Sequence, residues 1–319
     1  MIKMSKCPIL YLVIPCYNEE EVLNITTNEL NKKMNDLIKK KSISKDSKVL
    51  YVNDGSKDNT WNIIKEINKK NKLFQGLKLS RNRGHQNALL SGLMYVKDIC
   101  DISISMDADL QDDINAIDEM VKEYKNGSEI VFGVRSSRKK DTFFKRFTAQ
   151  SYYKLLSHLG VNIVYNHADY RLMSKKALES LSEYNEVNLF LRGIIPELGY
   201  KTSTVYYERN KRVAGTSKYP LKKMIKLAID GITSFSIKPL KMITNLGFIM
   251  GFISLCILIY SLVRKLTGNT VTGWTFTVVS IWFVSAVQMV SLGIVGEYIG
   301  KIYSETKRRP RYIIEEVLK

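Results

Sequence analysis

Two long apolar segments near the C-terminus constrain the fold of this chain more than any other feature. Neither Ile243 to Val263 nor Trp274 to Val295 contains a charged residue. Each is about as long as the ~20 residues that a helix needs to cross the hydrocarbon core of a bilayer. Two such segments in series are rare in soluble proteins, where the alternative is a pair of buried core helices. A short polar link, Arg264 to Gly273, separates them, so the sequence predicts a helical hairpin in a membrane.

The basic residues around these segments predict their orientation. Lys238 and Lys241 precede the first segment, and the link carries only Arg264 and Lys265. A basic group follows the second segment and consists of Lys301, Lys307, Arg308, Arg309 and Arg311. Because cytosolic flanks carry the excess of lysine and arginine, both termini are predicted to be cytosolic. The N-terminal stretch 1–8 is polar and does not have the pattern of a signal peptide.

Composition narrows the class of partner. The net charge is +18, from 49 Lys and Arg against 31 Asp and Glu, and would suit nucleic acid, an anionic membrane or phosphorylated substrates. No helix-turn-helix, zinc-finger or RNA-binding aromatic motif accompanies the charge, which argues against nucleic acid. The four cysteines have no C-x-x-C spacing, so neither a zinc site nor a disulfide framework is predicted. The three histidines, His85, His158 and His167, form no ligand cluster in the sequence.

The first 134 residues alternate between strand and helix patterns. The strands are predicted at Ile9–Pro15, Lys48–Val52, Gly76–Leu79, Asp101–Met106 and Glu129–Val134. The helices are predicted at Asn18–Ile38, Asn59–Asn71, Gln86–Val96 and Ile114–Tyr124. Such alternation predicts an α/β fold, Rossmann-like, with a mainly parallel sheet covered on both faces. No G-x-G-x-x-G motif follows the first strand, so a dinucleotide site is not indicated.

Two further segments have amphipathic patterns. The apolar residues of Pro220 to Lys238 fall on one helical face, which predicts a helix lying in the membrane interface beside the first apolar segment. The alternative is an ordinary helix facing the protein core. A second segment, Phe143 to Leu156, has a similar character, and for it the two interpretations are equally open.

Two carboxylates, Asp107 and Asp109, follow directly after the strand-like run Ile102 to Met106. They would emerge at the C-terminal end of that strand, the edge at which open α/β sheets bind ligands. Paired oxygen ligands suit Mg²⁺ or Mn²⁺ held jointly with the phosphates of a substrate. The alternative is an acidic loop that caps the next helix, the position to which we assign the neighbouring Asp112 and Asp113.

Six short motifs occur in a fixed order along the chain, five of them in its α/β part. They are Pro15 to Glu20, Asn53 to Asp58, Arg81 to His85, Asp107 to Gln111, Asp169 to Met173, and Arg212 to Tyr219. In this order the set resembles the family 2 glycosyltransferases with a GT-A fold. More narrowly, it resembles the polyprenyl-phosphate glycosyltransferases, which include dolichol-phosphate mannose synthase and the bactoprenol glucosyltransferases. The resemblance covers nearly the whole chain and extends to Gly296–Tyr303, typical of the two-span bactoprenol branch.

The resemblance implies a role for each matching residue. It implies nucleotide-sugar binding by Pro15, Tyr17, Glu19, Asp54, Arg83 and Asp107. It implies a metal, Mg²⁺ or Mn²⁺, at Asp107, Asp109 and Gln111, and binding of the lipid phosphate by Arg135, Arg212, Ser217 and Lys218. The catalytic residues that it implies are Asp109, Asp169 and Arg212. Asn53 stands where the family often has Asp, which loosens any assignment of base recognition there.

The resemblance also implies the reaction. A sugar would pass with inversion from a nucleotide sugar, with UDP-glucose or a UDP-N-acetylhexosamine as the favoured donor, to undecaprenyl phosphate. The protein would cross the bacterial plasma membrane twice and act on its cytosolic side, and homo-oligomerisation stays open. Two alternatives remain: a polysaccharide synthase with a hydroxyl acceptor, and a catalytically silent membrane scaffold.

The expected domain division has four parts. Residues 1–210 form the GT-A domain, 211–241 the amphipathic juxtamembrane segment, 242–296 the transmembrane hairpin and 297–319 a cytosolic basic tail.

Overall fold

The structure is a computed structural model that describes residues 7–136, 167–187, 189–209, 238–267 and 273–319. The strands are β1 Leu10–Cys16, β2 Lys48–Asn53, β3 Phe74–Leu79, β4 Ile102–Ser105, β5 Ile130–Arg135, β6 His167–Ser174, β7 Thr202–Tyr207 and β8 Ile314–Leu318. The helices are α1 Leu23–Lys39, α2 Thr60–Lys70, α3 His85–Val96, α4 Ala116–Lys125, α5 Lys175–Ser182, α6 Leu191–Glu197, α7 Lys238–Leu266 and α8 Trp274–Thr306.

The eight strands form one sheet in the order β7-β5-β6-β4-β1-β2-β3-β8. The pairs β1–β2, β2–β3, β1–β4 and β5–β7 are parallel, so the mainly parallel core predicted from the sequence is confirmed. Two strands run against this direction. β6 pairs antiparallel with both β4 and β5, and β8 pairs antiparallel with β3.

Helices cover both faces of the sheet because its central strands bury side chains on both sides. All seven residues of β1 are buried, as expected for a continuous apolar run at the centre of a parallel sheet. One core cluster packs α1, α2 and α4 against the sheet. A second cluster, on the opposite face, packs α3, α5 and α6. The loops that follow the parallel strands lie together at one edge of the sheet.

The C-terminal end of the chain is part of this sheet. β8 lies beside β3, with Val317 opposite Leu77. Side chains reinforce the pairing: Trp61 Nε1 donates to Glu316 Oε2 at 3.1 Å, and Lys78 Nζ lies 2.8 Å from Glu315 Oε1. The predicted basic tail 297–319 is therefore not a separate unit, because α8 continues to Thr306 and the last strand returns to the α/β domain.

Helices α7 and α8 contain the two predicted apolar segments, and both windows of membrane-spanning length and hydropathy are unburied. Phe248 and Trp282, for example, are each 75% exposed. Apolar surface of this extent on a pair of long helices indicates a membrane environment. Helix α7 continues three residues into the predicted link, and α8 extends eleven residues beyond Val295. The predicted amphipathic segments at 143–156 and 220–237 lie outside the described residues.

Gly92 tests how closely α3 packs on the sheet. A Cβ atom at this position would lie 2.4 Å from Val13 Cγ1 and 2.7 Å from Val52 Cγ2, side chains of two buried central strands. We expect Gly92→Ala to lower the free energy of unfolding by about 1–3 kcal/mol, because the helix must move away from the sheet. Thermal unfolding of the purified protein measures this. Gly296→Ala, with no atom within 4 Å of the new methyl group, is the matched control; equal behaviour of the two variants would contradict the close packing.

Candidate active site

The loops after β1, β2, β3 and β4 meet at one edge of the sheet, because these four strands are parallel neighbours. Hydrogen bonds join the first two loops. Asn18 N donates to Ser56 Oγ at 3.0 Å, and Glu19 N donates to Thr60 Oγ1 at 2.9 Å. Pro15 lies within β1, opposite Val52, one residue before the end of the strand at this edge. The predicted nucleotide-binding motifs are thus neighbours in space.

Asp54 joins the second loop to the third. Its two carboxylate oxygens accept the backbone N–H groups of Arg83 at 2.7 Å and Gly84 at 2.9 Å. Burial raises the pKa of Asp54, and the two N–H groups act against that rise. Gly55 has a φ of +61°, and a Cβ there would lie 2.5 Å from Asn82 N, so only glycine permits this approach. Both oxygens of Asp54 hold the third loop, and each keeps a lone pair for a further donor.

His85 lies between two of the predicted site aspartates. Its Nε2 is 3.7 Å from Asp107 Oδ1 and 3.5 Å from Asp169 Oδ2. Burial would lower the pKa of His85, but the two carboxylates outweigh it and raise that pKa above its ordinary value. Burial also raises the pKa of Asp107, with further contributions from Asp169 and Asp109, while His85 acts in the opposite direction. His85 therefore lies among carboxylates, a contact that the sequence pattern did not indicate.

Asp169 is clamped by two arginines. Arg192, at the start of α6, donates from Nε to Oδ1 at 3.1 Å and from Nη2 to Oδ2 at 2.9 Å. Arg171, which is 1% exposed, donates from Nη2 to Oδ1 at 2.6 Å. Burial would raise the pKa of Asp169, but Arg192, His85 and Arg171 together hold that pKa well below its usual range. Asp169 is consequently ionised throughout the physiological pH range.

The loop after β4 carries the other predicted metal ligands. Asp109 is 7% exposed, and its Oδ1 accepts the backbone N–H of Gln111 at 3.2 Å. Leu110, between them, has a φ of +53°, so the loop turns sharply. The side-chain oxygen of Gln111 accepts a hydrogen bond from Arg209, just beyond β7. Gln111 therefore faces the same region as the two aspartates but already has a cationic partner.

Asp112 belongs to the site and not to the following helix. Helix α4 begins only at Ala116, whereas Asp112 is 3% exposed and accepts a hydrogen bond from the hydroxyl of Tyr207. Arg135 Nη2 lies 3.5 Å from the same carboxylate. Burial raises the pKa of Asp112 to about 6, assisted by the charge of Asp107 and opposed by Arg135. The prediction that Asp112 stabilises the first helical turn is wrong, because this carboxylate instead ties the β4 loop to β5 and β7.

The donor set at this edge fits a divalent cation only in combination with a substrate. Among the described residues, no group of three or more His, Cys, Asp or Glu side chains is arranged to hold a metal ion. Asp107 and Asp109 offer two carboxylates, and Gln111 offers an amide oxygen two residues further on. An all-oxygen set of this size matches Mg²⁺ or Mn²⁺, which keep coordination positions for water and phosphate oxygens. Mutual repulsion of the clustered carboxylates also favours a cation here.

The structure brings most of the predicted site residues to one edge. These are Pro15, Tyr17, Glu19, Asp54, Arg83, Asp107, Asp109, Gln111, Arg135 and Asp169, whereas Arg212, Ser217 and Lys218 lie outside the described residues. Sequence reasoning missed His85, Arg171 and Arg192 as contacts of Asp169. His85 and Arg171 could have been found, since each stands inside a quoted motif. Arg192 could not have been found in this way, because it lies on a short helix that does not follow a strand and is part of none of the motifs.

Asp54→Asn tests the link between the second and third loops. An amide keeps the volume of the side chain but replaces one acceptor oxygen by an NH₂ group, which would face a backbone N–H donor. We expect the free energy of unfolding to fall by about 2 kcal/mol, the cost of a buried group left without its partner. Denaturant unfolding measures the loss. Asp46→Asn, at an exposed position before β2, is the control; equal stability of the two variants would contradict the role assigned to Asp54.

Comparison with known proteins identifies the family of this chain. The model of glycosyl transferase family 2 matches residues 11–182, and that of the GtrB C-terminal hairpin matches residues 238–302. An uncharacterized glycosyltransferase, YkoT of Bacillus subtilis, is 52% identical over 97% of this chain and 91% of its own length. The bactoprenol glucosyl transferase of Shigella phage SfX is 38% identical over 95% of this chain and 98% of its own. A prophage homolog of that enzyme in Escherichia coli is 37% identical over 97% and 99%.

Solved structures are more distant. A mannosyltransferase of Pyrobaculum calidifontis, in complex with GDP-Man and Mn²⁺, is 13% identical with a TM-score of 0.44, over 92% of this chain and 88% of that one. The family model spans the α/β sheet from β1 to α5, and the hairpin model spans α7 and most of α8. The predicted GT-A fold is thereby confirmed, and the chain belongs to glycosyl transferase family 2, with a membrane-associated hairpin of the GtrB type at its C-terminal end.

Proposed function

We propose that this protein transfers a sugar from a nucleotide sugar to a polyprenyl phosphate, undecaprenyl phosphate in bacteria, with inversion at the anomeric carbon. The observation that carries the proposal is the ionised carboxylate of Asp169, held by Arg171 and Arg192 beside the Asp107–Asp109 pair. Full-length relatives named bactoprenol glucosyl transferase, at 37–38% identity, support the choice of acceptor. Glucose from UDP-glucose is the favoured sugar for the same reason, with a UDP-N-acetylhexosamine as the second choice.

The state of Asp169 discriminates between the two kinds of acceptor. A hydroxyl acceptor needs a general base whose pKa lies near the working pH. Asp169 does not meet this requirement, because Arg192, His85 and Arg171 hold its pKa well below the usual range. A lipid monophosphate has a second pKa of about 6 and is largely ionised at neutral pH, so it needs no base. This favours the lipid phosphate over the hydroxyl acceptor of a polysaccharide synthase.

The donor diphosphate is the leaving group, and negative charge grows on it as the sugar–phosphate bond breaks. Asp107 and Asp109, with Gln111, would hold a Mg²⁺ or Mn²⁺ ion, which supplies positive charge to the diphosphate. Arg83 and His85 lie in the loop that Asp54 fixes beside this edge. A preorganised cation such as the Arg83 guanidinium stabilises developing charge without reorganising during the reaction. The nucleotide is proposed to contact Pro15, Tyr17, Glu19 and the Asp54 loop.

The membrane hairpin would bring the lipid phosphate to this site. The chain leaves the α/β domain for α7 and returns from α8 to form β8 in the same sheet, so the hairpin crosses the membrane an even number of times. The basic flanks favour the cytosolic side of the membrane for that domain. Of the proposed phosphate-binding residues, Arg135 is paired with Asp112 in this structure. Arg212, Ser217 and Lys218, on the segment before α7, would complete the set.

A direct assay tests the proposed function. Purified protein is incubated with undecaprenyl phosphate and a panel of nucleotide sugars, and the lipid products are identified by mass spectrometry. We expect one donor to give a lipid-linked monosaccharide. Asp109→Asn should lower that rate at least about 100-fold, because the variant loses a ligand of the metal ion that is proposed to stabilise the diphosphate. Asp98→Asn, an exposed aspartate after α3, should leave it unchanged. No transfer to lipid phosphate from any donor would overturn the proposal.

Metal removal is a separate prediction. Chelation with EDTA should abolish transfer, and added Mg²⁺ or Mn²⁺ should restore it, since Asp107 and Asp109 alone repel the donor diphosphate. Calorimetric titration of UDP should show weaker binding without metal in the wild type and no dependence on metal in Asp109→Asn. Undiminished transfer in chelator would refute the metal requirement and leave the choice of acceptor intact.

A further inference from the structure

The loop between α5 and α6 is held by the C-terminal end of the chain. Both carboxylate oxygens of Glu305, in the last turn of α8, accept the backbone N–H of Val187, at 2.8 and 2.9 Å. Arg311 Nη1 donates to the backbone carbonyl of Tyr184 at 2.7 Å. These are hydrogen bonds of charged groups to the backbone, about twice as strong as neutral ones. They attach the loop at two points three residues apart.

The same loop leads directly to the active site. Four residues after Val187, the backbone N–H of Leu191 donates to Gln86 Oε1 at 2.9 Å, next to His85. Arg192 follows and makes its two hydrogen bonds to Asp169. Leu191 packs in the same core cluster as α3, and the short stretch of chain from Val187 joins it to the loop, so a shift of the loop acts on the start of α6. The placement of Arg192 therefore depends on where residues 184–187 are held.

Glu305 and Arg311 are themselves fixed from two sides. The charge-free part of α8 ends at Val295, so ten residues of helix, about 15 Å, separate the membrane core from Glu305. After the helix, Arg308 turns the chain with a φ of +46°, and β8 then pairs with β3. The segment from 305 to 311 is thus anchored by a membrane helix at one end and by the sheet at the other.

We propose that Glu305 and Arg311 are positioning residues for the transfer reaction: they hold the 184–187 loop so that Arg192 meets Asp169, and they make this contact depend on the second membrane helix. Neither residue touches the reacting groups. Tilt or displacement of α8 in the bilayer would move Val187 and, through it, Arg192. The active site is then correctly assembled only when the hairpin is correctly inserted in the membrane. The membrane is also where the lipid acceptor is found. The kinetic consequence rests on the proposed function, whereas the structural one does not.

The first test replaces Glu305. In Glu305→Ala we expect kcat for sugar transfer to fall about five- to tenfold, about the net worth of one ordinary hydrogen bond, with little change in KM for the donor. Glu305→Gln keeps an acceptor oxygen and should recover most of the rate. Amide hydrogen exchange in residues 189–198 should become faster in Glu305→Ala. Amide hydrogen exchange can be measured without turnover. If the wild type proved inactive, the proposed function would be refuted, but the exchange rates would still test the present inference.

The matched control is Glu315→Ala. It removes the same charge from the same C-terminal segment, but its partner is Lys78 on β3 and not the backbone of the α5–α6 loop. We expect neither kcat nor exchange in residues 189–198 to change. Unaltered exchange in Glu305→Ala, or equal effects in the two variants, would overturn the inference.

A double substitution separates positioning from general destabilisation. If Glu305 acts through Arg192, then Glu305→Ala should lower kcat no further in an Arg192→Ala background. Independent structural damage would instead multiply the two losses. Multiplicative losses, with equal unfolding temperatures for all variants, would rule out the assigned route.

Discussion

The ion cluster at Asp169 is the interaction on which the rest of the site depends. Its carboxylate receives Arg171 from its own strand, Arg192 from α6 and His85 from the start of α3, so one buried charge connects three elements. The hydroxyl of Ser105 on β4 also donates to the backbone carbonyl of Asp169, at 2.5 Å. A buried carboxylate is costly unless cations and hydrogen bonds compensate it. The groups that compensate the charge of Asp169 therefore also hold together the sheet edge that carries Asp107 and Asp109.

The strand that follows the membrane hairpin returns to the sheet of the α/β domain. β8 adds to the outer edge of β3, and Trp61 and Lys78 hold it through Glu316 and Glu315. Because β7, which precedes α7 in the chain, and β8, which follows α8, belong to one sheet, the hairpin is a loop out of that domain. Movements of the hairpin are consequently transmitted to the sheet edge and to the α5–α6 loop. This arrangement suits a reaction in which one substrate is dissolved in water and the other is embedded in a bilayer.

Local pattern predicted the elements whose neighbours follow from chain order. Continuous apolar runs such as Ile9 to Pro15 indicated buried parallel strands, and Asp107 and Asp109 follow one of them, so their place at the sheet edge was predictable. β6 was not predicted as an antiparallel partner of β4 and β5, because nothing local encodes pairing across such a distance along the chain. Asp112 was assigned to a helix for a related reason: its partners Tyr207 and Arg135 come from strands remote in sequence.

The sequence by itself determined the class of fold, the membrane hairpin and the chemical character of the site. Those properties follow from local hydrophobic periodicity, run length and motifs at strand ends, and each needs only neighbouring residues. Only the tertiary structure decided which charges meet: His85 with Asp107, Arg192 with Asp169, and Glu305 with Val187. Contacts of this kind depend on how strands and helices pack, and small shifts in packing change the partners of a charged side chain. They fix the charged surroundings of Asp169, which hold its pKa well below the usual range.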